Sequence, residues 1–79
     1  MERQVIVYST PLCAPCEQLK GYLRAKGVEF VVKDLLMEEE AAERFEEMNI
    51  RSAPILEVDG ELLFGPDLGP EGVDRLLGL

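Results

Sequence analysis

The chain contains no histidine. Cysteine–histidine nucleophiles of the usual protease or transferase kind are thereby excluded, and any proton moved in a reaction must pass through water or a carboxylate. Cysteine is nearly as scarce: Cys13 and Cys16 are the only two in 79 residues. A pair so close in sequence closes too small a loop to staple a fold, so it is badly placed for a structural role. It also supplies only half of a tetrahedral zinc or iron–sulfur ligand set, which leaves a cluster shared in a dimer as the one metal alternative. Basic residues are few as well, eight against sixteen acidic ones, for a net charge of −8. That balance repels phosphate backbones and anionic lipid at long range and argues against nucleic acid or a membrane surface as partner.

Long apolar runs are missing too. No segment approaches the roughly 18 to 20 apolar residues that cross a bilayer. Met1-Glu2-Arg3-Gln4 leads straight into a strand-like run, without the basic region, apolar stretch and small-residue cleavage site of an export signal. The expectation is a cytoplasmic protein. With no linker, repeat or low-complexity stretch, residues 1–79 read as a single domain. A chain this short buries only about 60 to 65% of the surface its unfolded form exposes, so packing must be economical.

What is present reads as alternating elements. Arg3 to Ser9 forms a strand, and the unbroken run Val5-Ile6-Val7-Tyr8 suits a central strand covered on both faces. Thr10-Pro11-Leu12 make a loop. From Cys13 to Lys26, Cys16, Leu19, Tyr22 and Leu23 recur at helical spacing, and Lys26-Gly27 supplies a cation and a glycine stop. Gly21 inside this helix costs about 1 kcal/mol against alanine, so it is either tolerated or lets another element approach. Val28 to Asp34 is a second strand, nearer an edge, with Val28, Phe30 and Val32 alternating against polar positions.

Met37, Ala41, Phe45 and Met48 form one apolar stripe on a second helix, assigned to the core rather than to a binding groove. Its acidic residues, Glu38-Glu39-Glu40 with Glu43, Glu46 and Glu47, read as a solvated face rather than a docking surface. Asp59-Gly60 between Ile55-Leu56-Glu57-Val58 and Glu61-Leu62-Leu63-Phe64 signals a hairpin. Pro70 suits the first turn of a last helix with Val73, Leu76 and Leu77 on its apolar side. The order is βαβαββα: an α/β fold with a four-stranded mixed sheet, its first crossover parallel and its closing hairpin antiparallel, flanked by helices on both faces. Cys13 then falls at the carboxyl edge of the first strand, where open α/β sheets bind ligands.

Cys13-Ala14-Pro15-Cys16 between a strand and a helix is the address of a redox dithiol. A helix beginning there aims unpaired N–H groups and its positive dipole end at the first sulfur, favouring the thiolate that attacks disulfides. Cys13 is thus the expected nucleophile and Cys16, one turn inside, the resolving thiol. Pro15 lacks an N–H, which costs nothing at an early helical position. Glu17 and Lys20, the nearest ionisable groups, read as ordinary helix residues without a catalytic role.

Val7-Tyr8-Ser9 before the dithiol, Cys13-x-x-Cys16, Val32 to Leu35, Ser52-Ala53-Pro54 and Val58-Asp59-Gly60-Glu61 together resemble the glutaredoxins, and more closely the NrdH-redoxins of the thioredoxin fold, across essentially the whole chain. That resemblance implies a thioredoxin-like, glutaredoxin-type domain and a small thiol–disulfide oxidoreductase resembling the electron donors of ribonucleotide reductase. It makes Pro54 a cis-proline facing the dithiol, with the Ala53 backbone turned toward an extended substrate. Thr10, Ala14, Pro15, Ala53, Pro54, Gly65 and Asp67 become substrate-binding positions, with no metal and no bound cofactor. The partners implied are protein disulfides and a flavoprotein thioredoxin reductase, acting on a monomer.

Two departures bear on the reductant. Thr10 stands where glutaredoxins carry a lysine that would meet a glutathione carboxylate, and Pro66 removes an N–H from the glycine pair before the last helix. Gly65 and Asp67 keep part of that pattern, so glutathione remains the alternative electron source and co-substrate, as in a glutathione-dependent glutaredoxin. A rival of another class is a non-catalytic binding module or the metal-sharing dimer.

Overall fold

The computed structural model describes residues 4–79, so Arg3, expected to open the first strand, lies outside the described residues. The elements run β1 (Val5–Ser9), α1 (Ala14–Ala25), β2 (Val31–Asp34), α2 (Glu39–Glu47), β3 (Ile55–Val58), β4 (Glu61–Phe64), a short 3-10 turn (Gly65–Asp67) and α3 (Pro70–Leu77). The sheet order is β2-β1-β3-β4. β1 pairs parallel with β2, starting at Ile6 opposite Val31, and antiparallel with β3, while β3 and β4 form the antiparallel hairpin. This is the mixed sheet of a thioredoxin-like fold, with β2 at an edge as expected.

All five residues of β1 are buried because the sheet is covered twice. Successive strand side chains point to opposite faces. Val5 and Val7 accordingly join Leu19 and Leu23 of α1 and Val73 and Leu77 of α3 in one core, whereas Ile6 and Tyr8 pack with Phe45 of α2, Ile50 and Ile55 in the other. The Tyr8 and Phe45 rings meet edge to face, 4.9 Å apart.

Helix ends follow their local chemistry. After α1, Gly27 at φ 72° lets its N–H reach Arg24 O and the Val28 N–H reach Leu23 O. After α2, Asn49 at φ 62° does the same, with Asn49 N–H to Glu46 O and Ile50 N–H to Phe45 O. Both are left-handed closures that satisfy orphan carbonyls and fold the next apolar residue back onto the helix. In the hairpin, Asp59 and Gly60 both have positive φ, 49° and 91°, as a two-residue turn matched to strand twist requires.

Two expectations are corrected and one open alternative is decided. The α2 stripe is not core at its ends: Met37 and Met48 are 79% and 49% exposed and only Phe45 is fully buried. Met37 lies in the turn before the helix, Met48 caps its end, and Ile50, turned inward after Asn49, takes the buried place. β2 is shorter than Val28 to Asp34, because Val28 is held by the α1 closure, and Val32 is exposed on the edge rather than packed inward. Nothing lies within 4 Å of a Cβ built at Gly21, so that glycine is merely tolerated. The close approach is instead at Gly72, where a Cβ would overlap the Asp67 carbonyl oxygen.

Candidate active site

The loop after β1 delivers the chain to the start of α1 with Cys13 as N-cap residue, extended at φ −109° and ψ 101°. Its Sγ takes the place that a serine or aspartate oxygen fills in an ordinary cap. The Cys16 N–H donates to Cys13 Sγ over 3.2 Å, and the Cys13 carbonyl accepts the first helical bond from Glu17 N–H. Pro15 occupies the second helical position, where its missing N–H leaves the Cys16 amide as the donor to sulfur. The cap concentrates a hydrogen bond and the helix dipole on one sulfur, an arrangement that stabilises negative charge there once the disulfide is reduced.

The two sulfurs are bonded to each other, so the structure is that of the oxidised state. Their environments differ. Cys13 is partly exposed whereas Cys16 is 1% exposed beneath it, packed into the inner turn of α1. Of the two cysteines, Cys13 is the one that presents surface to solvent.

The segment before β3 crosses in front of this sulfur. The Ala53–Pro54 peptide is cis, Pro54 is buried, and the Ala53 carbonyl oxygen lies 3.9 Å from Cys13 Sγ across 40 positions of sequence. Beside it runs an uncharged groove of about 420 Å³ between α1, the Ala53–Pro54 turn and the start of α3. Pro15, Ala53, Pro54 and Gly65 line it together, joined by Leu19, Tyr22, Leu68 and Val73. On the other flank of Cys13, Thr10 and Ala14 line a shallower cleft with Leu12, Glu17, Lys20 and Asp34. Glu17 and Lys20 are ion-paired with each other.

Asp67 is not gathered with the rest. It is exposed and lines a separate cleft with Glu61 and Arg75, because the 3-10 turn directs Gly65 toward the dithiol side and presses the Asp67 carbonyl against Gly72. The groove walls Leu19, Tyr22 and Val73 were legible in the sequence only as core positions of their helices. Tyr22 is more than that. Its hydroxyl donates to Asp74 Oδ1 over 2.5 Å, tying α1 to α3 across the groove, and this bond to a carboxylate is the main reason its phenol pKa is raised above 10.0. Leu12, fully exposed beside the dithiol, carried no sequence signal at all.

Comparisons with known proteins agree with this geometry. Residues 5–63 match the glutaredoxin family. An uncharacterized glutaredoxin-like 8.6 kDa protein in the rubredoxin operon of Clostridium pasteurianum is 36% identical over 75 residues, 90% of this chain and 93% of that protein. The crystal structure of the thioredoxin-like protein BC3987 superposes with a TM-score of 0.77 at 27% identity, covering 92% of this chain and 99% of that one. The NrdH-redoxin of Escherichia coli shares the fold with a TM-score of 0.81 at 22% identity, over 92% of this chain and 93% of its own. The chain therefore belongs to the glutaredoxin family, and in Cys13 and Cys16 it carries the redox-active disulfide of a thiol–disulfide oxidoreductase.

Proposed function

We propose that the protein is a cytoplasmic protein-disulfide reductant in which Cys13 is the nucleophile and Cys16 the resolving thiol. The observation that carries this reading is the asymmetry of the pair: the Cys13 sulfur is partly exposed and capped by the Cys16 amide, while the Cys16 sulfur is buried. In the reduced protein the Cys13 thiolate attacks one sulfur of a substrate disulfide. A Cys13–substrate bond forms, the substrate S–S bond breaks, and the first substrate sulfur leaves as thiolate. Cys16, deprotonated through water, then attacks Cys13 Sγ, forming the internal disulfide and releasing the second substrate thiolate. Two electrons pass from the dithiol to the substrate in each cycle. Ala53, with its carbonyl facing the sulfur, offers backbone pairing to an extended substrate segment, and Pro54 shapes the shelf beneath it.

Electrons return from a flavoprotein thioredoxin reductase rather than from glutathione. Thr10 in place of a lysine, Pro66 without an N–H, and a groove lined by no charged side chain among the described residues all favour that donor, because nothing there pairs with a tripeptide's carboxylates. The proposed role resembles that of the small redoxins that reduce ribonucleotide reductase. Insulin reduction should proceed with NADPH and thioredoxin reductase and lag with NADPH, glutathione and glutathione reductase. Faster turnover in the glutathione arm would reverse the choice of donor, and inactivity of both arms would remove the reductant reading.

A further inference from the structure

Leu12 has the highest exposure of any large apolar side chain described, 106%, and it immediately precedes Cys13. Its backbone is left-handed, at φ 55°. Folding explains neither fact: the side chain buries nothing, and glycine or asparagine would adopt this backbone with less strain. Residues held in such conformations gather where ligands are engaged. The uncharged groove formed by Pro15, Ala53 and Pro54 is a separate surface past the Ala53 carbonyl that faces the sulfur, and on the cleft that Cys13 itself lines Leu12 is the large apolar side chain among polar and charged neighbours.

A small disulfide reaching Cys13 Sγ covers little of that cleft. A disulfide set in a polypeptide brings surface across it, and its approach takes Leu12 out of water. The cleft beside Leu12 also holds Glu17 and Asp34, with the one lysine in it already ion-paired, so an anionic small molecule finds no free cation there. We infer that Leu12 is a specificity-determining contact, covered by apolar residues that flank the disulfide of a protein substrate and left uncovered by small disulfides. This rests on the reading of Cys13 as nucleophile.

The test compares second-order rate constants for oxidation of the pre-reduced protein by insulin and by bis(2-hydroxyethyl) disulfide, with no other reductant present. Leu12→Asn keeps the left-handed backbone and removes the apolar branch, whereas Leu12→Met keeps an apolar side chain. The expected result is that Leu12→Asn slows the insulin reaction about tenfold, the lower range for a leucine no longer buried, and leaves the small disulfide unaffected, while Leu12→Met matches the parent on both. Equal slowing of both reactions, or of neither, would overturn the inference. If the parent protein reacts with neither disulfide, the nucleophile assignment itself fails and this contact falls with it.

Discussion

Two glycines inside helices, Gly21 and Gly72, should respond to alanine in opposite directions. Gly21 sits mid-helix on the exposed side of α1, and a Cβ there meets nothing within 4 Å. Alanine then restricts the unfolded chain and favours the helix, adding about 0.5–1 kcal/mol of stability. Gly72 lies in the first turn of α3, where a Cβ would overlap the Asp67 carbonyl oxygen and touch Leu63 at 3.5 Å. The obstacle is backbone, so relief requires the 3-10 turn to move. Overpacking of this kind costs about 1–3 kcal/mol, and the helix propensity of alanine returns at most about 1, for a net loss of roughly 1–2 kcal/mol. In a domain of this size about 1 kcal/mol shifts Tm by roughly 4–8 °C. Thermal unfolding followed by far-UV circular dichroism should place Gly21→Ala several degrees above the parent and Gly72→Ala several degrees below it. Because that turn begins at Gly65, a wall of the groove, Gly72→Ala should also slow protein-disulfide reduction. A Gly72→Ala variant as stable as the parent, or a destabilised Gly21→Ala, would refute the packing account.

Three further outcomes are expected. Cys13→Ser should abolish disulfide reduction, whereas Cys16→Ser should accumulate a mixed disulfide with substrate that intact mass spectrometry under non-reducing conditions detects; trapping through residue 16 instead would reverse the two roles. Tyr22 phenolate absorbance should titrate above pH 10.0, because the hydroxyl donates to Asp74. With the folded pKa raised, the stabilisation by this bond is complete below the unfolded value and is lost as pH climbs through the folded one, so denaturation of the parent and Tyr22→Phe should converge at alkaline pH; a stability gap that persists there would deny the bond its role. Asn49→Gly should be close to neutral and Asn49→Ala should lose about 1 kcal/mol in urea unfolding, since a left-handed closure penalises an ordinary Cβ; equal stability of the two variants would count against that closure.

Much of the fold was legible because its signals are short-range. Five consecutive strand positions without a charge require cover on both faces, and Asp59-Gly60 supplies the two positive φ values of the hairpin turn. The Cys13 motif between strand and helix likewise carries its chemistry locally, since the N-cap position and the Cys16 amide follow from backbone geometry within one turn. The α2 stripe misled because helical spacing says which residues share a face but not where the helix stops, and Met37 and Met48 lie just outside Glu39–Glu47.

The sequence by itself determined which residues are able to do redox chemistry and which elements carry them, since spacing, caps and turn conformations depend on neighbours a few positions away. Only the tertiary structure decided how distant segments meet around the dithiol, since Pro54 facing it was an expectation of the resemblance and not of any local pattern. The Ala53 carbonyl reaches Cys13 from 40 positions along the chain, Tyr22 finds Asp74 from 52, Gly72 rather than Gly21 meets a neighbouring backbone, and Leu12 is left uncovered beside the sulfur. These juxtapositions arise when two cores close on opposite faces of one sheet, and no local pattern encodes where distant segments come to rest.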